Sequence, residues 1–225
     1  AASDVYKRQG ILVWLGWYGF NVGSAFTFDH IAMISFVNTV IGASAGAFGW
    51  LIFEYILKKT TSLLGLLSGA LSGLVAITPA AGYVSYMSAM IIAIIGGICC
   101  YIVINLIKVK LQYNDALDAF GIHGVGGILG AVLTGVFQSH QINSAVQNGF
   151  IYTADFKVVV IQLGAAIATV VFSAIVTFLI ARFIKIFTPL ATTQEEDKTG
   201  LDAIVHGEKA YFYGELNKFN RHIKF

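Results

Sequence analysis

One histidine, His123, stands inside an otherwise apolar, glycine-rich run, DALDAFGIHGVGGILGAVLTGVF (Asp115–Phe137), headed by two carboxylates, Asp115 and Asp118. An ionisable group set within so apolar a segment costs several kcal/mol to desolvate in its charged form, so it is a candidate functional residue by default. Neutral imidazole offers one donor and one acceptor, which lets it bind a small hydrogen-bonding solute or relay a proton without remaining charged. Two other uses compete: a structural histidine bonded to a neighbouring carbonyl, and a metal or haem ligand. No second histidine or carboxylate shares an apolar run with it at ligand spacing, so neither metal nor cofactor is expected. His30 and His140 fall between runs, and His206 and His222 in the polar tail. Were a helix to begin at Asp115, the rise per residue would put His123 roughly 12 Å along it. Asp115 and Asp118 then suit the positive end of that helix, as structural caps.

A second stretch, GWYGFNVGSAF (Gly16–Phe26), gathers Trp17, Tyr18 and Phe20 with Asn21 and Ser24. Aromatic faces attract ammonium-like cations, and a serine hydroxyl accepts a hydrogen bond from one. The same residues would also serve as an aromatic belt at a membrane interface. The residues alone leave both readings open.

What must hold these groups is a membrane-embedded helical bundle. Of the 225 residues 57% are hydrophobic and only 12% charged, too little charge to cover a soluble domain of this size. The formal net charge of +2, dispersed between apolar runs, is too small to argue for a nucleic-acid partner, and none is expected. Runs long enough to span a bilayer occur at Ile11–Phe28, Ile31–Leu57, Leu63–Val84, Ser88–Val109, Ala116–Phe137 and Val158–Phe187. None alternates polar and apolar residues as a barrel strand does, so an all-α integral membrane fold with six spans is predicted. Lys58, Lys59, Lys108, Lys110, Arg182 and Lys185 gather at the ends of the even-numbered spans, while Lys157 is the one Lys or Arg on the other side, which places the C-terminus in the cytoplasm. Glycines at Gly42 and Gly46, at Gly65, Gly69 and Gly73, and at Gly126 and Gly130 predict close helix contacts. Pro79 should kink or end the third span. Cys99 and Cys100 sit together in an apolar run and suggest no metal site.

Taken together, LGWYGFNVGSAF, FVNTV (Phe36–Val40), SLLGLLSGALSGLVAITPAAGYV, the His123 segment and GLDAIVHGEKAY (Gly200–Tyr211) resemble, in collinear order, the ammonium transporter family (Amt/Mep/Rh), the tail motif favouring the Amt/Mep branch. The resemblance implies an eleven-span fold built on an inverted repeat, of which these six spans correspond to the sixth to eleventh, and homotrimers with one narrow pore per subunit. It implies that His123 belongs to a pore histidine pair that relays a proton, that Phe20 is one of two gate phenylalanines, that Trp17 lines the pore and that Ser24 recruits ammonium. The partner histidine, the second gate phenylalanine and the rest of the outer aromatic site have no counterpart in this chain, which is therefore read as the C-terminal portion of a transporter. Three segments are expected: 1–9 as a scar foreign to the native chain, 10–188 as the transmembrane domain and 189–225 as a cytoplasmic tail.

In that tail Gly200, Leu201, Asp202, His206, Gly207 and Glu208 carry the family's regulatory motif, and by resemblance they lie near a surface where P-II-type proteins bind. The function expected is non-enzymatic: ammonium or ammonia transport through an apolar pore in a plasma or cytoplasmic membrane. An ammonium sensor signalling through the tail, and a membrane metal- or haem-binding protein using His123, are the rivals.

Overall fold

Every regular element in residues 2–208, the part of the chain described by this computed structural model, is helical. In chain order these are α1 (Ala2–Gly23), α2 (His30–Lys58), α3 (Leu63–Ile77), α4 (Tyr86–Ile102), α5 (Lys108–Leu111), α6 (Val125–Phe137), α7 (Phe150–Thr153), α8 (Lys157–Ile184) and α9 (Gln194–Thr199). A 3₁₀ turn at Thr78–Ala80 extends α3, and π turns at Val103–Ile107 and Phe120–Gly124 join α4 to α5 and lead into α6.

Among the described residues, five continuous helical stretches are long and apolar enough to cross a bilayer: His30–Lys58, Leu63–Ala80, Tyr86–Leu111, Phe120–Phe137 and Lys157–Ile184. The other expected run, Ile11–Phe28, is helical only to Gly23, and α1 extends backwards instead, through the polar residues before Gly10. The early end has a local cause. Asp29 must be extended to cap α2, where its carboxylate accepts the Ile31 and Ala32 N–H groups, and Phe26 just before it is in the left-handed region at φ 56°.

The chain divides at Val170 into two units. In the first, 2–169, α2, α3 and α4 pack around Leu74, Ile77, Ile92 and Tyr101, all buried. Lipid gives helices no hydrophobic reason to associate, so contact depends on close approach of backbones. The predicted glycines supply it: a Cβ on Gly73 would lie 2.1 Å from Gly42 O, one on Gly46 2.4 Å from Gly73 Cα, and one on Gly130 2.4 Å from Ala76 O.

The two ends of this unit differ in charge. Lys58 at the end of α2 donates to Asn105 beside the end of α4 (3.3 Å), and Lys108 reaches the segment that begins the Phe120–Phe137 stretch, which gathers these basic residues at one end. Buried Glu54 sits there too, accepting the Ser62 N–H and hydroxyl while Ser62 caps α3. At the opposite end Ser139 N–H donates to Tyr83 O and Asn143 to Gly82 O, joining the loops after α3 and α6.

Pro79 acts as expected: α3 gives way to the 3₁₀ turn that contains it. Asn38 of α2, fully buried, secures the chain beyond that break by donating to Ala81 O and Val84 O at 2.8 and 2.9 Å. No residue of α8 is buried. In the second unit Thr193 and Glu196 form a capping box that starts α9, and the Glu196 carboxyl is held below its usual range by the Thr193 N–H and hydroxyl.

Candidate functional site

α1 is a helix through the whole GWYGFN segment, so Trp17 and Phe20 project from neighbouring positions one turn apart, and Ser24 follows one turn beyond Phe20. Trp17 and Phe20 meet edge to face, with ring centroids 6.3 Å apart. The indole of Trp17 lies nearly parallel to the imidazole of His123, centroids 6.0 Å apart and planes inclined by 13°. Trp17 Nε1 donates to Thr78 Oγ1 at 2.7 Å. Among the described residues the ring nitrogens of His123 have no hydrogen-bond partner, so the structural histidine bonded to a carbonyl does not describe it.

The π turn at Phe120–Gly124 holds His123 in the first turn of the Phe120–Phe137 stretch. This corrects the 12 Å estimate, which assumed a helix from Asp115; residues before Ala119 form turns, with Asp118 at φ 56°. A π turn widens the helix locally and often marks a functional position.

Two cavities adjoin these residues. The larger, about 640 Å³, is lined by Val13, Trp17, Phe20, Val75, Thr78 and His123 among others. Its polar groups are few: the imidazole, the Thr78 hydroxyl and the indole N–H that this hydroxyl already accepts. The smaller, about 280 Å³, lies toward the loops after α1 and α3 and includes Asn21, Ser24, Asp29, Ser35 and Asn143. Phe20 and Thr78 line both.

Ser24 donates its hydroxyl hydrogen to Phe20 O at 2.7 Å, which leaves its lone pairs to accept from a cation. Asn21 is anchored through Thr39, which in turn donates to Ser35 O. The Asp29 carboxyl is held below the ordinary aspartate range by the Ala32 N–H first, then by the Thr27 hydroxyl and the Ile31 N–H. The smaller cavity thus carries a fixed negative charge and several acceptors, and the larger carries no carboxylate or basic chain.

The two carboxylates at the head of the His123 segment have separate roles. Asp115 caps it, accepting the N–H groups of Ala119, Phe120 and Gly121. Asp118 does not cap through its side chain, because Lys108 holds that carboxylate at 2.6 Å and also donates to Asp115 O. Its backbone carbonyl still accepts Ile122 N–H.

In the tail, Asp202–His206 forms a π turn between Gly200 and Gly207, both at positive φ, and Glu208 N–H closes onto Asp202 O. Leu201 starts that turn, and positions 209–225, with the end of the tail motif, lie outside the described residues. No cluster of three or more His, Cys, Asp or Glu side chains occurs among the described residues.

Sequence reading missed Thr78. A hydroxyl beside a proline at the break of an apolar helix was the available signal, but its partner Trp17 lies 61 residues away.

The model of the Ammonium Transporter Family matches residues 10–211. An ammonium transporter of Bacillus subtilis is 50% identical over 202 residues, covering 90% of this chain and 50% of the relative. Among solved structures, Saccharomyces cerevisiae Mep2 superposes with a TM-score of 0.74 at 33% identity, over 79% of this chain and 42% of that one. A structure described as a sensor Amt protein gives a TM-score of 0.74 at 28% identity, over 87% and 47%. The chain spans about half the length of the curated relatives it matches.

Proposed function

Since this chain belongs to the ammonium transporter family and is a multi-pass membrane protein, we propose that it forms part of a pathway that moves ammonium across the membrane as ammonia, with His123 handling the proton. The observation that carries this reading is the step in polarity across Phe20 and Thr78. On one side a cavity with Asp29, Ser24 and Asn21 suits a cation; on the other a larger cavity offers little beyond aromatic faces and an imidazole. A cation crossing that step loses its hydration without replacement, whereas neutral ammonia pays far less. Deprotonation therefore belongs at the step, where Phe20 separates the cavities and Trp17 and His123 begin the apolar side.

His123, Trp17 and Phe20 face an open cavity, so the complete pore needs a second wall. Sequence equal to the rest of the relatives' length provides it, in a homotrimer that keeps its basic helix ends and C-terminal tail in the cytoplasm. In that arrangement the Gly200–Glu208 turn is the regulatory segment, and a P-II-type protein is its partner.

The test is ammonium-driven flux or current in liposomes carrying the full product of the gene. His123→Ala should abolish or alter flux while assembly is retained, and unchanged flux and selectivity would overturn the assignment. Similarity to a sensor Amt structure supports a second reading, in which ammonium binding rearranges the tail and flux is incidental. Tail rearrangement on ammonium addition without measurable current would favour it.

A further inference from the structure

Thr78 stands where three features of the first unit meet. It opens the 3₁₀ turn that ends α3, it precedes Pro79, and it lines both cavities beside Phe20. Its single hydroxyl hydrogen is committed, since Oγ1 donates to Leu74 O at 2.7 Å. The oxygen therefore faces Trp17 as an acceptor, at 2.7 Å from Nε1, the short end of the range for an N–H donor. Indole nitrogen is only ever a donor and seeks a partner when withdrawn from water. His123 has no such bond among the described residues, and its ring contact is the flat face of Trp17.

We infer that Thr78 is a positioning residue, whose hydroxyl fixes the plane of the Trp17 indole and, through the stacked indole, the plane of the His123 imidazole. The order of dependence follows from bond directionality. Thr78 is set by the α3 backbone and by the proline next to it, Trp17 is set by Thr78, and His123 is set by Trp17. Removing the hydroxyl leaves the indole N–H unpaired and free to turn toward another acceptor, and the imidazole loses the surface that orients it.

The flux arm of the test rests on the transport reading above, and the resonance arm does not. Thr78→Val keeps the side-chain shape and removes the acceptor, whereas Thr78→Ser keeps the acceptor and removes the methyl. In the full gene product, ¹⁵N-labelled at tryptophan, the Trp17 indole signal is assigned with Trp17→Phe. Thr78→Val should shift that signal and speed its exchange with solvent. It should also abolish the ring-current shift that the indole imposes on the His123 ring protons. Vmax for ammonium should fall about fivefold, the scale of one lost hydrogen bond. Thr78→Ser should restore all three.

Unmoved His123 ring protons in Thr78→Val would overturn the inference. So would a Ser variant as impaired as the Val variant, because the methyl and not the hydroxyl would then be responsible. Full flux in Thr78→Val, alongside an active wild type, would overturn the functional half. A wild type without ammonium flux would instead sink the transport reading and leave the resonances to decide the positioning.

Discussion

Replacing Gly73 by alanine adds one methyl group at the crossing of α2 and α3, and the structure sets what that methyl meets. Its Cβ would lie 2.1 Å from Gly42 O, 2.7 Å from Gly46 Cα and 3.0 Å from Gly46 N, all backbone atoms that no rotamer can move aside. Ordinary contact begins near 3.4 Å, so the two helix backbones must part by about 1.3 Å at this point. A gap of 0.5–1 Å already forfeits roughly a quarter to a half of each dispersion contact along the seam. Overpacking of this kind costs about 1–3 kcal/mol, and lipid supplies no hydrophobic effect to offset it. Against this, alanine gains roughly 1 kcal/mol of helix propensity over glycine.

The matched control is Gly164→Ala in α8, where nothing among the described residues beyond its own stretch of helix lies within 4 Å of the new Cβ and only the propensity gain remains. Thermal unfolding in detergent, followed by helical circular dichroism, should show Gly73→Ala melting below wild type and Gly164→Ala at or above it. Because Thr78 follows five residues along the same stretch, Gly73→Ala should also disturb the Trp17 indole environment. A Gly73→Ala protein as stable as wild type, with an unaltered indole signal, would refute the close-contact argument.

Two further substitutions probe the supports of the candidate site. Asn38→Leu keeps the branching of the side chain but leaves the buried carbonyls of Ala81 and Val84 unpaired, and unfolding in graded denaturant should show a loss of about 2 kcal/mol or more. Asp29 has a folded-state carboxyl below the ordinary value near ~3.9. Its contribution to stability is therefore fully present above that value and lost as pH falls through the lower folded one. Asp29→Asn retains the cap on α2 without the charge, so the difference in melting temperature between wild type and variant should change between about pH 5 and pH 2 and level off above; parallel curves throughout that window would count against the cap.

Much of this protein is already decided by local composition. Apolar runs of bilayer length must become helices because lipid satisfies no backbone polar group, and periodic glycines let neighbouring helices come close. A proline must break α3, and one histidine in an apolar run must attract attention whatever surrounds it. These readings depend on near neighbours in the chain, which is why Gly46, Gly73, Pro79 and His123 were visible without coordinates. The helix that the run at Ile11 promised was misjudged at both ends, because Asp29 needs extended backbone to cap α2 and the polar residues before Gly10 add turns of their own.

Only the tertiary structure separates Asp115 from Asp118. Both suit a helix start by type, but the ammonium group of Lys108 reaches one carboxylate and leaves the other to the backbone. Only the tertiary structure shows that His123 stands in a π turn against the face of Trp17, and that a threonine on a third helix holds that indole. Hydrogen bonds and ring contacts act over a few ångströms. Which residues come within that reach across 61 or 106 positions of chain is settled by how the helices cross, and no spacing rule within one segment contains that information.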